Sequence, residues 1–169
     1  MKKLAVIGAS YLQLPLVKKA NEMGLEVHCF AWPEGAVCKD FVDHFYPISI
    51  IEKEEILKKC QEICIDGICT IASDVAAPTV AYVANKMNLI GNDYSAAVVA
   101  NNKYNMREAF IKSGVPCPKY IMVTPDTLNQ SDVKEALKSL HYPIIVKPSD
   151  RSGSLGVTKV NVVADLNAA

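Results

Sequence analysis

The 169-residue sequence lacks net charge: Lys plus Arg and Asp plus Glu both number 18. Without a one-sign field, nucleic acid and anionic membrane surfaces are excluded as expected partners. No CxxC pair occurs among the six cysteines, Cys29, Cys38, Cys60, Cys64, Cys69 and Cys117. Most sit in apolar, strand-like or helix-like stretches, which reads as reduced core thiols of a cytoplasmic protein. A zinc site from Cys60, Cys64 and Cys69 with His44 is the alternative, although that spacing matches no common zinc pattern. No segment is apolar enough to span a bilayer. Lys2 and Lys3 before the apolar stretch to Val17 superficially resemble a signal peptide, but Gly8, Ser10, Gln13 and Pro15 interrupt it. Internal repeats and low-complexity tracts are absent. So is the dinucleotide fingerprint: the first turn reads Gly8-Ala9-Ser10-Tyr11-Leu12-Gln13, without the second and third glycines. Where an acid should grip a ribose, the sequence reads Phe30-Ala31-Trp32, with Glu34 the nearest acid. A nicotinamide-binding protein is therefore the weaker rival reading.

What is present is a hydrophobic content of 50%, enough for one core or for a domain and part of a second. Short apolar or β-branched runs recur at 4–7, 27–30, 45–48 and 68–71, with helical periodicity between most of them. The first helix, entered near Tyr11, is expected to face the core with Leu12, Leu16, Ala20 and Met23. A helix over 52–64 would turn Ile56, Leu57, Cys60 and Cys64 inward, and another is expected over 75–87. Such alternation builds a mostly parallel sheet covered on both faces, so the fold class is α/β with a Rossmann-like first domain, 1–92. Beyond it, 93–169 reads as the start of a second, α+β domain. It holds helices over 95–100 and 102–113, a stiff Gly114-Val115-Pro116-Cys117-Pro118 connector and a strand at 120–123. A helix over 131–140 and strands at 144–147 and 157–163 follow. Asp165 to Ala169 reads as a further helical turn with Asp165 as its N-cap.

The most specific local feature is Tyr142-Pro143-Ile144-Ile145-Val146-Lys147-Pro148 followed by Ser149-Asp150-Arg151-Ser152-Gly153-Ser154-Leu155-Gly156-Val157. A lysine that ends an apolar strand must reach solvent or face an anion. Ser152, Gly153, Ser154 and Gly156 let backbone N–H groups converge into a phosphate-sized nest. An ordinary hairpin loop would use the same residues. Lys103, in the first turn of a helix, opposes the helix dipole unless it serves an external anion, the alternative being a solvated surface lysine.

Taken in order, 102–107, 113–118, 143–148 and 152–157 resemble the ATP-grasp superfamily, and the resemblance runs over essentially the whole chain. It implies a Rossmann-like lead domain before an incomplete ATP-grasp subdomain, closest in look to carbamoyl-phosphate synthase-like and amino-acid ligase-like members. By the same resemblance Lys103 and Lys147 contact ATP phosphates, Lys147 also lies near the adenine, and Ser152, Gly153, Ser154 and Gly156 close over the triphosphate. The full enzyme would use ATP and Mg²⁺ to turn a small carboxylate into an acylphosphate that an amine attacks. No catalytic or metal-ligating residue is assigned. The family's adenine hinge and Mg²⁺ ligands would follow Ala169, so the chain is expected to be a truncated, inactive piece of a longer ligase. Lead domains of this type often pair, which makes a homodimer one implied arrangement.

The loops after the first and fourth strands, with Ser10 and Tyr11 and with Ser73 and Asp74, are the candidate substrate contacts. Asp74 serves equally as a helix N-cap. A non-catalytic binding or assembly module is the remaining alternative. His28 in a strand and His141 at a helix end suit core or capping roles.

Overall fold

The computed structural model describes residues 1–168; Ala169, the last residue of the expected C-terminal turn, lies outside them. The chain divides into two compact units, Met1–Asn101 and Asn102–Ala169.

In the first unit, strands β1 (Lys3–Ile7), β2 (Glu26–Phe30), β3 (His44–Tyr46) and β4 (Gly67–Cys69) form one parallel sheet in the order β3-β2-β1-β4. Strand side chains alternate between faces. Val6, Val27 and Cys29 therefore meet Val17 and Ala20 of helix α1 (Leu14–Glu22) on one face. On the other, Ala5, Ile7 and Phe30 meet Ile56 and Cys60 of α2 (Lys53–Ile63) and Val83 and Ala84 of α3 (Ala77–Lys86). Both faces are covered, as parallel pairing requires. A 3-10 turn at Val37–Phe41 buries Cys38, and α4 (Tyr94–Asn101) follows α3, with Tyr94 packed edge-on against Tyr82 at 5.3 Å.

Two inward faces differ from expectation. Helix α1 starts at Leu14, because residues 10–13 are taken up by a hydrogen-bonded turn, Gln13 N–H to the Ser10 carbonyl at 3.0 Å. Leu12 and Met23 consequently lie outside the helix and are exposed, and Val17 takes the central core position. Cys64 is the left-handed C-cap of α2 (φ 58°) and faces solvent, because the chain reverses there.

The second unit holds α5 (Lys103–Lys112), α6 (Ser131–Lys138) and an antiparallel hairpin of β5 (Ile144–Val146) and β6 (Thr158–Val160). Leu137 and Val160 are its buried apolar residues among those described. The expected strand at 120–123 is irregular backbone, for among the described residues no strand lies beside it to complete a ladder. Tyr120 instead donates its hydroxyl to Glu108 of α5, and that bond pushes the phenol pKa up to about 12. Residues Val163–Ala168 form a 3-10 helix that includes Asp165 within it rather than as its cap.

Candidate functional site

In the second unit the site begins at the N-terminus of α5. Asn102 is extended (φ −114°, ψ 117°), and its Oδ1 accepts from Tyr104 N and Asn105 N, both at 3.0 Å. That is an N-cap satisfying two of the helix's free donors. A third, Lys103 N–H, donates to the Ser149 carbonyl at 2.8 Å, and the Lys103 ammonium donates to the Arg151 carbonyl. Lys103 is thus laced twice to the loop after β5. The helix terminus has spent its own donors internally, so an anion arriving here meets the ammonium rather than helical N–H groups.

The loop itself joins β5 to β6 as a hairpin connection, with Val146 opposite Thr158. Its backbone enters the left-handed region at Gly153 (φ 65°), Ser154 (φ 59°) and Gly156 (φ 70°). A Cβ at Gly156 would also stand 3.0 Å from Pro148 Cγ, so glycine is required there by both dihedral and space. The turn is held by Leu155 N to the Ser152 carbonyl and Val157 N to the Ser154 carbonyl, each 3.3 Å. Among the described residues, no protein group accepts from the N–H groups of Ser152, Gly153, Ser154 or Gly156. All four residues are exposed, as is Lys147 at the end of β5. Successive unengaged N–H groups in a turn are the kind of backbone that can make an anion-binding concavity.

In the first unit, strand order reverses beside β1, with β2 on one side and β4 on the other. The crevice at the carboxyl ends of such strands is where open α/β sheets bind ligands. A cleft of about 250 Å³ lies there, lined by Gly8, Ser10, Trp32, Gly35 and Ser73 among others. Ser10 and Ser73 therefore share one cleft, while Tyr11 and Asp74 are exposed and do not line it. Asp74 does not cap α3 either: the cap is Ala76, whose N–H lies 3.4 Å from the Ser73 hydroxyl.

The residue that sequence reasoning missed here is Gln13. It is buried at 3% exposure, its Oε1 accepts from Ser10 N (3.0 Å) and Ser10 Oγ (2.7 Å), and its Nε2 donates to the Ile71 carbonyl at 2.6 Å. A polar residue at an otherwise apolar helix entry was the only available signal.

Cys60 is buried with its thiol pushed up to about 12 by desolvation, Cys64 is exposed, and among the described residues no group of potential ligands includes a cysteine. No helix among the described residues is long and apolar enough to cross a membrane.

Residues 110–169 match the family described as D-ala D-ala ligase C-terminus. The alanine–anticapsin ligase of Bacillus amyloliquefaciens is 36% identical over 107 residues, 63% of this chain and 22% of that protein. Among solved structures, phosphoribosylglycinamide synthetase from Anaerococcus prevotii superposes with a TM-score of 0.74 at 28% identity, over 99% of this chain and 41% of that one. N5-carboxyaminoimidazole synthetase from Staphylococcus aureus, complexed with ADP, gives 0.78 at 19% identity, over 99% and 43%, a likeness of fold. The chain thus spans about a fifth of the curated relative's length and about two fifths of the structural neighbours'.

Proposed function

From a chain that belongs to the ATP-grasp superfamily and matches its N-terminal part, we propose that this protein supplies the phosphate-gripping section of an ATP-dependent carboxylate–amine ligase. The observation that carries the reading is the set of unengaged N–H groups at Ser152, Gly153, Ser154 and Gly156, on a loop to which Lys103 is doubly tied. In this reading these amides and the Lys103 and Lys147 ammonium groups bind the phosphate oxygens. The Arg151 carbonyl holds Lys103 beside the loop before the nucleotide arrives, which lowers the entropic cost of binding. Bound ATP supplies the phosphoryl group that activates the carboxylate as an acylphosphate. The alanine–anticapsin ligase match favours an amino acid as the carboxylate.

Phosphoryl transfer depends on positioning and on neutralisation of charge. Lysines and backbone N–H groups serve the first need and part of the second. Among the described residues no cluster of three or more acidic, His or Cys ligands lies at the loop, so in this reading Mg²⁺ would be held there chiefly through the phosphate oxygens and water. The Ser10 and Ser73 cleft, with Tyr11 and Asp74 at its approaches, is assigned to the second substrate, and a cytoplasmic homodimer belongs to the same reading.

The test is hydrogen exchange with and without ATP. ATP should slow exchange at residues 152–156 while leaving the core of β1 and β2 unchanged. Equal exchange at 152–156 in both conditions would favour a non-catalytic binding module instead.

A further inference from the structure

The first unit carries a second cluster that the ATP reading leaves unused. Glu26 and His28 are two residues apart on β2 and share a face; His44, on the adjacent β3, is the register partner of His28. Glu26 Oε1 lies 3.0 Å from His28 Nε2 and 3.3 Å from His44 Nε2. The three potential ligand atoms all lie within 4.8 Å of one another. From these positions we propose that Glu26, His28 and His44 form a binding site for a divalent transition-metal ion of the zinc class.

Three features support it beyond proximity. Zinc-class ions take imidazole nitrogen and carboxylate oxygen at about 2.0–2.2 Å, which places ligand atoms of one tetrahedron roughly 3.3–3.6 Å apart. The two Nε2 to Oε1 separations are already close to that spacing. Secondly, His28 Nδ1 lies 3.1 Å from the Tyr46 hydroxyl. Ligating imidazoles commonly give their other ring nitrogen to such a partner, which fixes the tautomer and aims Nε2 at the metal. Thirdly, His28 is buried while His44 is half exposed, with side-chain exposures of 3% and 51%, so one ligand is held and the other can turn to admit an ion. The adjacent cation, Lys3, is drawn off by a 3.0 Å bond from its ammonium to the Ile63 carbonyl. Lys59 of α2 places its ammonium 5.9 Å from the centre of the Tyr46 ring and pairs with Glu62.

The experiment is titration of the full chain with Zn²⁺ by calorimetry and with Co²⁺ by optical absorption. One equivalent should bind with a nitrogen and oxygen ligand-field spectrum. His44→Ala and Glu26→Gln should each weaken binding tenfold or more. Tyr46→Phe, which keeps all three ligands, should weaken it by about tenfold, the usual cost of losing an outer partner. Cys64→Ser should change nothing. The site is refuted by absence of binding, by unchanged affinity in His44→Ala, or by a thiolate-to-cobalt band that disappears in Cys64→Ser. Circular dichroism checks each fold, and if Glu26→Gln unfolds, the half-exposed His44→Ala decides alone.

Discussion

Gln13 is tied to Ile71 across 58 residues of sequence: its Nε2 donates to the Ile71 carbonyl at 2.6 Å and fastens the loop after β1 to the loop after β4. The same side chain accepts twice from Ser10, so one amide holds both walls of the switch-point cleft. Thr70 adds a parallel stitch, Oγ1 to the Ile7 carbonyl at 2.7 Å.

Removing that amide should be costly. Gln13→Ala leaves the part-buried Ile71 carbonyl and Ser10 donors without their partner, a loss that costs about 1–3 kcal/mol in all. Urea denaturation should show a loss in that range, and Gln13→Glu should be no better, since a carboxylate cannot donate to Ile71.

Gly8→Ala addresses the same corner by another route. Gly8 has φ 100°, and an added Cβ would meet Gln13 Cδ at 3.2 Å. Both strain and crowding oppose the change, so stability should fall by about 1 kcal/mol or more. Gly24→Ala, with φ 69° but open space around it, should suffer the backbone penalty without the crowding, which makes it the control.

Asn102 links the stability of α5 to the helix end that is tied to the loop after β5. Asn102→Ala removes the acceptor for Tyr104 N and Asn105 N and should destabilise α5 by about 1 kcal/mol. Asn102→Asp keeps an acceptor and should behave nearly as wild type. Hydrogen exchange at residues 104–106 distinguishes the two.

Thiol reactivity should sort the cysteines. Cys29 and Cys60 are buried with pKa values pushed up to about 12 by desolvation, and Cys38 is buried with its pKa raised by the same cause. Cys64 is exposed. An alkylating reagent at neutral pH should modify Cys64 first and spare Cys29, Cys38 and Cys60 until the chain unfolds. Peptide mass mapping reads the order.

The alternation of apolar runs with helical periodicity made the parallel sheet and its flanking helices legible, because each strand's pattern is local. What the sequence hid depends on distant pairing. The apolar run at 120–123 has the composition of a strand, yet a strand exists only beside a partner. Leu12 and Met23 fit the helical period but fall in the turns at either end of α1. The bond from Gln13 to Ile71 and the approach of His44 to Glu26 follow from β-strand order and register, which no spacing within one segment encodes. The turn residues of 152–156 were visible as such, whereas the lacing of Lys103 to Ser149 and Arg151 needed the folded second unit.

The central claim is that Lys103, Lys147 and the loop at 152–156 grip a triphosphate. Calorimetric titration of ATP into the protein and its Lys103→Ala and Lys147→Ala variants tests it most directly. The account predicts saturable binding to the wild type, weakened tenfold or more in each variant, since a hydrogen bond to a charged group contributes about 1.5–3 kcal/mol. Absence of binding by the wild type, or the same affinity in all three proteins, would contradict it.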